Sequence, residues 1–432
     1  MIIELNFKNL RSFKEEQSFS MLIWSEKIKE KNKDDNFYSV LNNDIKVLKT
    51  AVIFWQNAWW KTNLLKTIEF MKRIILTSHK INATDTINWY HPYLLDKKSK
   101  IQPSFLEVKF LINDIRYTYS FSFNKNKFLS EKLIAYYSSK PTIVIDIDRK
   151  KEKIEINSKI MKWAELIKKE WIRENTLALS VLADKNNEEA RKILSFFSNI
   201  YVFIDGTWIH DLDTMKMLDE DPKFKFFLLQ LMKDCDLWIH DIVHETKKVK
   251  FKDLEDKIRL GLLRNPNIKI NDEQELNITK KWLVHYVYEN WDIVDKITLP
   301  ERSESKWTMQ IFNFAGSIYD VMKNWKMLFI DEIDRSIHPM LLQTIIKIFH
   351  KTNTKIWKYQ FIFNTHDTTL LDADIFRRDQ IWFVDKNKYW ESNLLSLLEF
   401  KERKDSSFLK NYLNNRYWGT PFLWEWENLF DE

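Results

Sequence analysis

The pattern of apolar and polar positions divides the chain into stretches that predict strands and stretches that predict helices. Residues 2–7 alternate apolar and polar positions, and a second extended piece at residues 17–23 completes a predicted β-hairpin. Residues 47–54 (VLKTAVIF) form a continuous apolar run, which is typical of a strand buried in the middle of a sheet. Residues 63–76 then carry apolar positions at helical spacing. Strand, tight loop and helix are therefore expected in this order.

The spacing of apolar residues changes twice in the middle of the chain. Residues 101–148 alternate with period two and contain Asn-Asp and Asn-Lys turns, which predicts an antiparallel sheet of about four strands. Residues 160–240 are mostly helical in pattern, with a strand expected at residues 200–204, whereas residues 245–300 give no clear pattern. We therefore expect an antiparallel β subdomain followed by a helical insertion.

In the last third, helical and extended stretches alternate. We expect a helix at residues 308–322, a buried strand with an acidic end at 327–334, and a second helix at 339–351. Two more buried strands are expected at residues 361–367 and 380–384. Such alternation predicts an α/β fold with a parallel core sheet, and open sheets of this kind bind ligands at the carboxyl ends of their strands.

Composition and charge exclude several classes of protein. With 68 Lys and Arg against 62 Asp and Glu, the chain has a net charge of +6, which is too weak to argue for nucleic-acid binding on its own. The single cysteine, Cys235, excludes an internal disulfide and a Cys-cluster metal site. The start MIIELNFKNL has no signal-peptide pattern, and no apolar run reaches about 18 residues. These features predict a soluble cytoplasmic protein that is not in the membrane.

Glycine and tryptophan are present in abnormal numbers. The 432 residues include 4 Gly and 19 Trp, whereas average usage would give about 30 Gly. Many Trp stand where glycine is ordinary, as in the Asn-Trp pairs at 88–89, 290–291 and 324–325, because Asn-Gly is a strong turn signal and Asn-Trp is not. We hypothesise that many of these Trp are glycines misread from UGA codons. The alternative is a protein that is rich in Trp by nature, and the nucleotide sequence distinguishes the two.

A phosphate-binding loop is predicted directly after the apolar run at 47–54. With glycine at Trp55, Trp59 and Trp60, residues 55–62 read Gly-Gln-Asn-Ala-Gly-Gly-Lys-Thr, a complete Walker A motif between a strand and a helix. Backbone N–H groups of such a loop, here including that of Asn57, meet phosphate oxygens at a helix N-terminus. Lys61 is expected to reach the β- and γ-phosphates and Thr62 to bind Mg²⁺. In the sequence as written, the indole rings of Trp55, Trp59 and Trp60 would fill this loop.

The second candidate element is the apolar strand that ends in Asp331 and Glu332. A carboxylate that holds Mg²⁺, next to one that polarises water, is what hydrolysis of a γ-phosphate requires. We assign Asp331 to the metal and Glu332 to the general base. Acidic pairs at strand ends are also common as solvated turns, so the assignment depends on the phosphate loop earlier in the chain.

The sequence DEIDRSIHP at 331–339 resembles the Walker B motif and D-loop of ABC-type ATPase heads. The resemblance implies a switch histidine at His366, in FIFNTHD, and a signature segment at residues 304–308 (ESKWT), which reads E-S-K-G-T with glycine at Trp307. In ABC-type dimers this segment covers the ATP of the partner, so Ser305 is expected to act in trans. The fold class implied is a P-loop ABC-type head with a parallel core sheet, an antiparallel β subdomain and a helical insertion.

More narrowly, the chain resembles RloA-like, abortive-infection ATPases of the AAA/ABC type, in segments that include NFKNLRSFKEEQSFS, ENTLALSVLA and FNTHDTTLLD. That resemblance implies ATP and Mg²⁺ as cofactors, an ATP-dependent homodimer acting in phage defence, and an effector nuclease or toxin encoded nearby. We expect an N-terminal lobe with Walker A at 1–100, the antiparallel sheet and helical insertion at 101–300, and a C-terminal lobe with the remaining motifs at 301–432.

Several alternatives remain open from the sequence. A DNA-repair ATPase of the RecF or SMC kind is the nearest one, and binding of DNA is possible. A nucleotide-binding scaffold without turnover is the alternative that is not an enzyme. Arg11 could approach the nucleotide, although a solvated charge is the simpler interpretation, and the Q-loop residue could be Gln102 or Asn175, each of which is more simply structural. The histidines lack metal-ligand spacing.

Overall fold

The computed structural model divides the chain by packing into two units, Met1–Trp208 with Asp320–Glu432, and Ile209–Tyr319. The three lobes expected from the sequence remain a prediction. Among the described residues, no helix is long and apolar enough to cross a membrane. The structure describes the whole chain except residues 25–33, 42–44, 56–61, 163, 167–171, 205–210, 255–258, 260–270, 336–338, 352–357, 373, 401–406, 415 and 418–432.

A six-stranded, mostly parallel sheet forms the centre of the first unit. Its strand order is β11-β15-β16-β5-β17-β18, and only β18 runs antiparallel to its neighbour. Every residue of β15 and β16 is buried, as expected for strands covered on both faces. The predicted parallel sheet is thereby confirmed. The strands are β5 (Thr50–Trp55), β11 (Ile200–Phe203), β15 (Met327–Ile330), β16 (Gln360–Thr365), β17 (Ile381–Lys386) and β18 (Ser392–Ser396).

A seven-stranded antiparallel sheet lies in the same unit, in the order β10-β9-β8-β7-β6-β1-β2. Residues alternate between a buried and a more exposed face, which is the pattern expected of a sheet that packs on one side. The sheet includes both the N-terminal hairpin and the four strands predicted at 101–148. The strands are β1 (Ile2–Lys8), β2 (Gln17–Ser20), β6 (Ser104–Ile112), β7 (Ile115–Phe123), β8 (Phe128–Tyr136), β9 (Thr142–Asp148) and β10 (Lys153–Ile156).

Helices join the two sheets through one hydrophobic core. The helices of this unit are α1 (Asn63–Thr77), α2 (Ala178–Asp184), α3 (Glu188–Ser198), α7 (Pro339–Lys351) and α8 (Phe408–Leu413). Phe70 of α1 packs on Phe123 of β7 with ring centroids 5.1 Å apart, and Phe196 of α3 stacks on Phe110 of β6 at 4.5 Å. The same buried cluster includes Ile53 of β5. The apolar faces that the periodicity predicted thus meet between the sheets.

The single strand predicted at residues 47–54 is wrong, because the chain breaks into two strands at Lys49. The strand β4 (Ile45–Leu48) pairs with β3 (Phe37–Val40), whereas β5 joins the parallel sheet. Lys49 is buried, and its ammonium donates a 2.6 Å hydrogen bond to the carbonyl of His350, at the C-terminal end of α7. A cation is favourable at the negative end of a helix, so this contact stabilises the turn.

The second unit combines helices with a three-stranded antiparallel sheet, which occupies the region that had no clear pattern. Its helices are α4 (Asp211–Glu220), α5 (Pro222–Asp234) and α6 (Lys306–Lys323), of which α6 continues into the first unit, and its strands are β12 (Asp241–Lys250), β13 (Glu275–Glu289) and β14 (Asp292–Pro300). Gly316 of α6 lies against Thr214 of α4, so closely that an added Cβ would approach the threonine hydroxyl to 2.6 Å. Glycine is required there by this close approach.

Three of the tryptophans occupy backbone conformations that favour glycine. Trp291 has φ 73°, Trp325 has φ 55° and Trp390 has φ 66°. All three are exposed, Trp291 almost completely, at 95%. Trp89, in the remaining Asn-Trp pair, has no such φ, and its ring lies 4.3 Å from the guanidinium of Arg73. The left-handed region is costly for a bulky side chain, so the three positions suit glycine better than tryptophan.

Candidate functional site

The carboxyl ends of three neighbouring parallel strands bring the candidate residues of the first unit together. In the sheet, β16 lies between β5 and β15 and is parallel to both. The loop that leads to Thr62 follows β5, Asp331 follows β15, and His366 follows β16. Because parallel strands end at the same edge of a sheet, segments far apart in sequence converge here.

A chain of hydrogen bonds links Thr62, the last residue of the predicted phosphate loop, to both carboxylate residues. The hydroxyl of Thr62 donates to Asp331 Oδ2 at 2.8 Å. The amide of Asn364, in β16, donates to Asp331 Oδ1 at 2.5 Å, and its oxygen accepts from the backbone N–H of Glu332 at 2.6 Å. Thr62, Asp331, Glu332 and Asn364 are all buried. The Asp331 carboxylate is therefore held through both of its oxygens.

Glu332 has an unusual backbone conformation for its residue type. Its φ is 49°, in the left-handed region that non-glycine residues rarely adopt. The hydrogen bond from its N–H to Asn364 stabilises this conformation. Strained backbone that the surroundings enforce is concentrated at active sites. The conformation therefore supports a functional interpretation of Glu332 over a simple solvated turn.

Thr62 and Asp331 provide a donor set that fits Mg²⁺. Magnesium is bound through oxygen atoms, commonly one or two carboxylates together with phosphate oxygens and water. The hydroxyl of Thr62 and the carboxylate of Asp331 lie within 2.8 Å of each other, so both can reach one small cation. The oxygen chemistry and the proximity of these two groups thus match the metal that the sequence predicts.

Most of the predicted phosphate loop lies outside the described residues. This applies to Asn57, Trp59, Trp60 and Lys61. Trp55 is the last residue of β5, and its backbone is in register with Val384 of β17. Helix α1 begins at Asn63, directly after Thr62. The strand that the motif requires before the loop and the helix that it requires after the loop are therefore both present.

His366 lies next to the predicted D-loop segment. Its backbone N–H donates to Asp334 Oδ2 at 3.2 Å, and Asp334 lies in the 3₁₀ turn after Glu332. Residues 336–338 lie outside the described residues. A contact between the segments after β15 and β16 is what a switch histidine needs, and its role stays a prediction.

Sequence reasoning missed Asn364. Its signal in the sequence is that it is the first polar residue after the apolar residues FIF at 361–363, whereas the motif resemblance pointed to His366. A buried amide needs partners for both its donor and its acceptor, and here those partners are the two candidate carboxylate residues. Asn364 is therefore the residue that connects them.

The structure also places the weaker candidates. Arg11 is half-buried, not solvated, and burial lowers the pKa of its guanidinium. The next residue, Ser12, accepts a 2.9 Å hydrogen bond from the side chain of Asn63, the first residue of α1. Asn175 is buried and donates to two backbone carbonyls, and the carbonyl of Gln102 accepts from Tyr90, so both have structural contacts.

Ser305 immediately precedes α6 in the second unit. Its hydroxyl accepts a 3.0 Å hydrogen bond from the backbone N–H of Thr308, as an N-cap residue does. Trp307 lies in the first turn of the helix and is exposed, as is Ser305. The predicted signature segment therefore presents its serine and Trp307 on the surface of this unit.

Comparison with known proteins gives one family match. The family model described as "AAA domain, putative AbiEii toxin, Type IV TA system" matches residues 165–372. This range includes Ser305, Asp331, Glu332 and His366 and begins after the phosphate loop. No curated protein sequence matches the chain. The match covers slightly less than half of the chain, and over those residues the chain is similar to this family.

Among solved structures, the chain is similar to heads of SMC proteins. It is 11% identical to the "SMC head domain from Thermotoga maritima", with 91% of this chain and 98% of that chain covered and a TM-score of 0.40. It is 10% identical to an SMC head bound to the C-winged helix domain of ScpA, with 92% and 98% covered and a TM-score of 0.36. The α/β architecture expected from the sequence is confirmed by the strand order itself.

Proposed function

We propose that the chain is a Mg²⁺-dependent ATPase of the ABC type. The observation that carries the proposal is the buried hydrogen bond between Thr62 and Asp331, which joins the end of the predicted Walker A loop to the predicted Walker B carboxylate. Thr62 and Asp331 are 269 residues apart in the sequence, so no local interaction brings them together. Their contact is the one that a common Mg²⁺ ion between phosphate loop and Walker B strand requires.

Each candidate residue then has a distinct task. The backbone of residues 55–60 cradles the phosphates, with glycine at Trp55, Trp59 and Trp60 and with Asn57 between them, and Lys61 neutralises the β- and γ-phosphates. Thr62 and Asp331 hold the Mg²⁺ ion, which would supply charge neutralisation at the phosphates. Glu332 accepts the proton of the attacking water, and His366 contacts the γ-phosphate side of the site.

We further propose that two copies of the chain form the complete site. In that dimer, Ser305 and residue 307 of one copy close over the ATP bound by the other. The exposed position of Ser305 at the start of α6 supports this role, because the positive end of a helix dipole attracts phosphate oxygens. Residue 307 suits this role best as glycine, since an indole so near the phosphate would hinder close approach.

Defence against phage is the proposed biological setting. The family description that matches residues 165–372 names a toxin and a toxin–antitoxin system, which supports a switch that controls an effector nuclease or toxin encoded nearby. A RecF- or SMC-like ATPase acting on DNA is the second candidate. A scaffold that binds nucleotide without turnover is the third.

Two substitutions separate the steps of the proposed reaction, and both are made in a chain with glycine at residues 55, 59 and 60. Lys61→Ala removes the charge on the phosphates and should abolish ATP binding. Glu332→Gln should keep binding, slow hydrolysis by about 10²-fold or more, and accumulate a dimer. Calorimetry, phosphate release and size-exclusion chromatography measure the three effects. Hydrolysis at the unmodified rate in Glu332→Gln would contradict the role of that residue. If the protein were a scaffold without turnover, Glu332→Gln would leave its biological function intact.

A mixing experiment tests whether Ser305 acts in trans. Ser305→Arg should bind ATP as a monomer but neither dimerise nor hydrolyse it, because a bulky cation replaces the small cap. Mixed with Lys61→Ala, it leaves one site that combines an intact Lys61 with an intact Ser305, and partial ATPase activity should return. If both chains stay inactive in the mixture, Ser305 acts within its own chain.

A further inference from the structure

The central strand of the three-stranded sheet contacts the segment that leads to Ser305. The side chains of Lys281 and His285, four residues apart on β13, are on the same face of this strand. The ammonium of Lys281 lies 3.0 Å from Glu301 Oε2, and His285 Nε2 lies 2.7 Å from Glu304 Oε1. Two acidic residues three positions apart are thus held by two basic residues on one strand.

In each contact one side chain is almost fully buried, while its partner is more exposed, Glu301 at 48% and His285 at 27%. The side chain of Lys281 is 3% exposed, and its ammonium also lies 4.8 Å from the ring of Phe312 in α6. The side chain of Glu304 is 8% exposed. Exposed ion pairs contribute little, whereas a buried carboxylate that loses its partner is costly. Glu304 therefore depends on His285 to remain where it is.

Ser305 is fixed from the other side by the helix that it precedes. Its carbonyl accepts from the N–H of Met309 at 3.2 Å, and its hydroxyl accepts from the N–H of Thr308. The Ser305 hydroxyl also contacts the hydroxyl of Thr308 at 2.9 Å. The serine is exposed, yet the residue before it and the helix after it are both anchored. An exposed residue between two anchors has a defined position without being buried.

We propose that His285 is a positioning residue for Ser305, with Lys281 as a second anchor through Glu301. The hydrogen bond from β13 to Glu304 fixes the entry into α6 and so the place of the Ser305 hydroxyl and the N–H groups behind it. The importance of that position for catalysis rests on the proposed function, whereas the anchoring itself does not. His285 acts through Glu304 and touches no reacting group.

The anchoring is tested first in the full chain without nucleotide. Hydrogen exchange of the backbone amides at residues 304–309 should become roughly tenfold faster in His285→Leu. In this variant, local opening no longer has to break the hydrogen bond between His285 and Glu304. His285→Gln keeps an N–H donor at a similar reach and should exchange like the unmodified chain. Lys280→Leu, an exposed neighbour on the opposite face of β13, is the matched control and should change nothing. Equal exchange in His285→Leu and the unmodified chain would overturn the proposal.

The consequence for catalysis is measured in the chain with glycine at residues 55, 59 and 60. His285→Leu should lower kcat about tenfold while the affinity of the monomer for ATP stays the same, and His285→Gln should restore kcat. Faster exchange with an unchanged kcat would overturn the positioning role and leave the ATPase proposal standing. If the parent chain shows no ATPase activity, the proposed function fails, and the exchange result still decides the anchoring.

Discussion

The hydroxyl of Thr62 and the carboxylate of Asp331 are joined by a 2.8 Å hydrogen bond across a sequence separation of 269 residues. The contact forms because β5 and β15 flank β16 in one parallel sheet and end at the same edge. Asn364, from the strand between them, bonds to Asp331 and Glu332. A central strand thus sets the geometry between the predicted phosphate loop on one side and the acidic pair on the other.

Replacing Asn364 should affect activity more than stability. Asn364→Leu leaves Asp331 Oδ1 and the N–H of Glu332 without this partner, and we expect kcat to fall about 10²-fold and unfolding free energy to fall by about 1–3 kcal/mol. Asn36→Leu is the control, because Asn36 is also buried and donates two hydrogen bonds. Asn36→Leu should lower the free energy of unfolding by a similar amount but leave kcat unchanged. Both variants are made in the chain with glycine at residues 55, 59 and 60. Equal kcat values for the two variants would show that Asn364 is only structural.

The chain as written should not bind ATP. Indoles at Trp55, Trp59 and Trp60 would fill the phosphate volume, and the positive φ angles expected of such a loop disfavour bulky side chains. Substituting glycine at all three positions should produce binding of Mg-ATP, which titration calorimetry detects. Tight binding by the tryptophan chain would remove the mechanical basis of the misreading hypothesis, and UGG codons at these positions would end it.

Glycine at Trp291 should stabilise the protein. Relief of a left-handed φ in an almost fully exposed residue outweighs the added entropy of the unfolded chain, by about 0.5–1 kcal/mol. Trp89→Gly, in another Asn-Trp pair, lacks a positive φ to relieve and loses the stacking with Arg73, so it should be destabilising. Denaturant unfolding of both variants provides the measurement. A destabilised Trp291→Gly would indicate that tryptophan is native at this turn.

Lys49 should make stability depend on alkaline pH. Burial lowers the pKa of its ammonium to about 8, against an ordinary value of 10.5, with Asp35 acting in the opposite direction. Between these values the unfolded chain binds more protons than the folded chain, so stability rises with pH across that window, by up to about 1.4 kcal/mol per unit. The rise should be absent in Lys49→Met and present in Lys8→Met, which also removes a positive charge. If the free energy of unfolding changed with pH in the same way for Lys49→Met and for the unmodified chain, the lowered pKa of Lys49 would be contradicted.

The sequence by itself determined the elements and the chemistry that they carry. Apolar runs predicted the parallel strands, period two predicted the antiparallel sheet, and the residues around the phosphate loop and after MLFI indicated nucleotide chemistry. These signals are local, since each depends on spacing within one element or motif. The same locality explains the error at Lys49, where an apolar run is divided between two sheets by a distant helix end.

Only the tertiary structure decided which of these elements meet. The position of Asn364 between the acidic residues, the left-handed Glu332 and the pairing of His285 with Glu304 all arise from contacts between segments that sequence spacing does not relate. Residues 245–300 showed no pattern because most of β14 and much of β12 are exposed on both faces, so burial imposes no alternation on them. Strand order brings distant polar residues to one edge, and that order is a property of the whole packed chain.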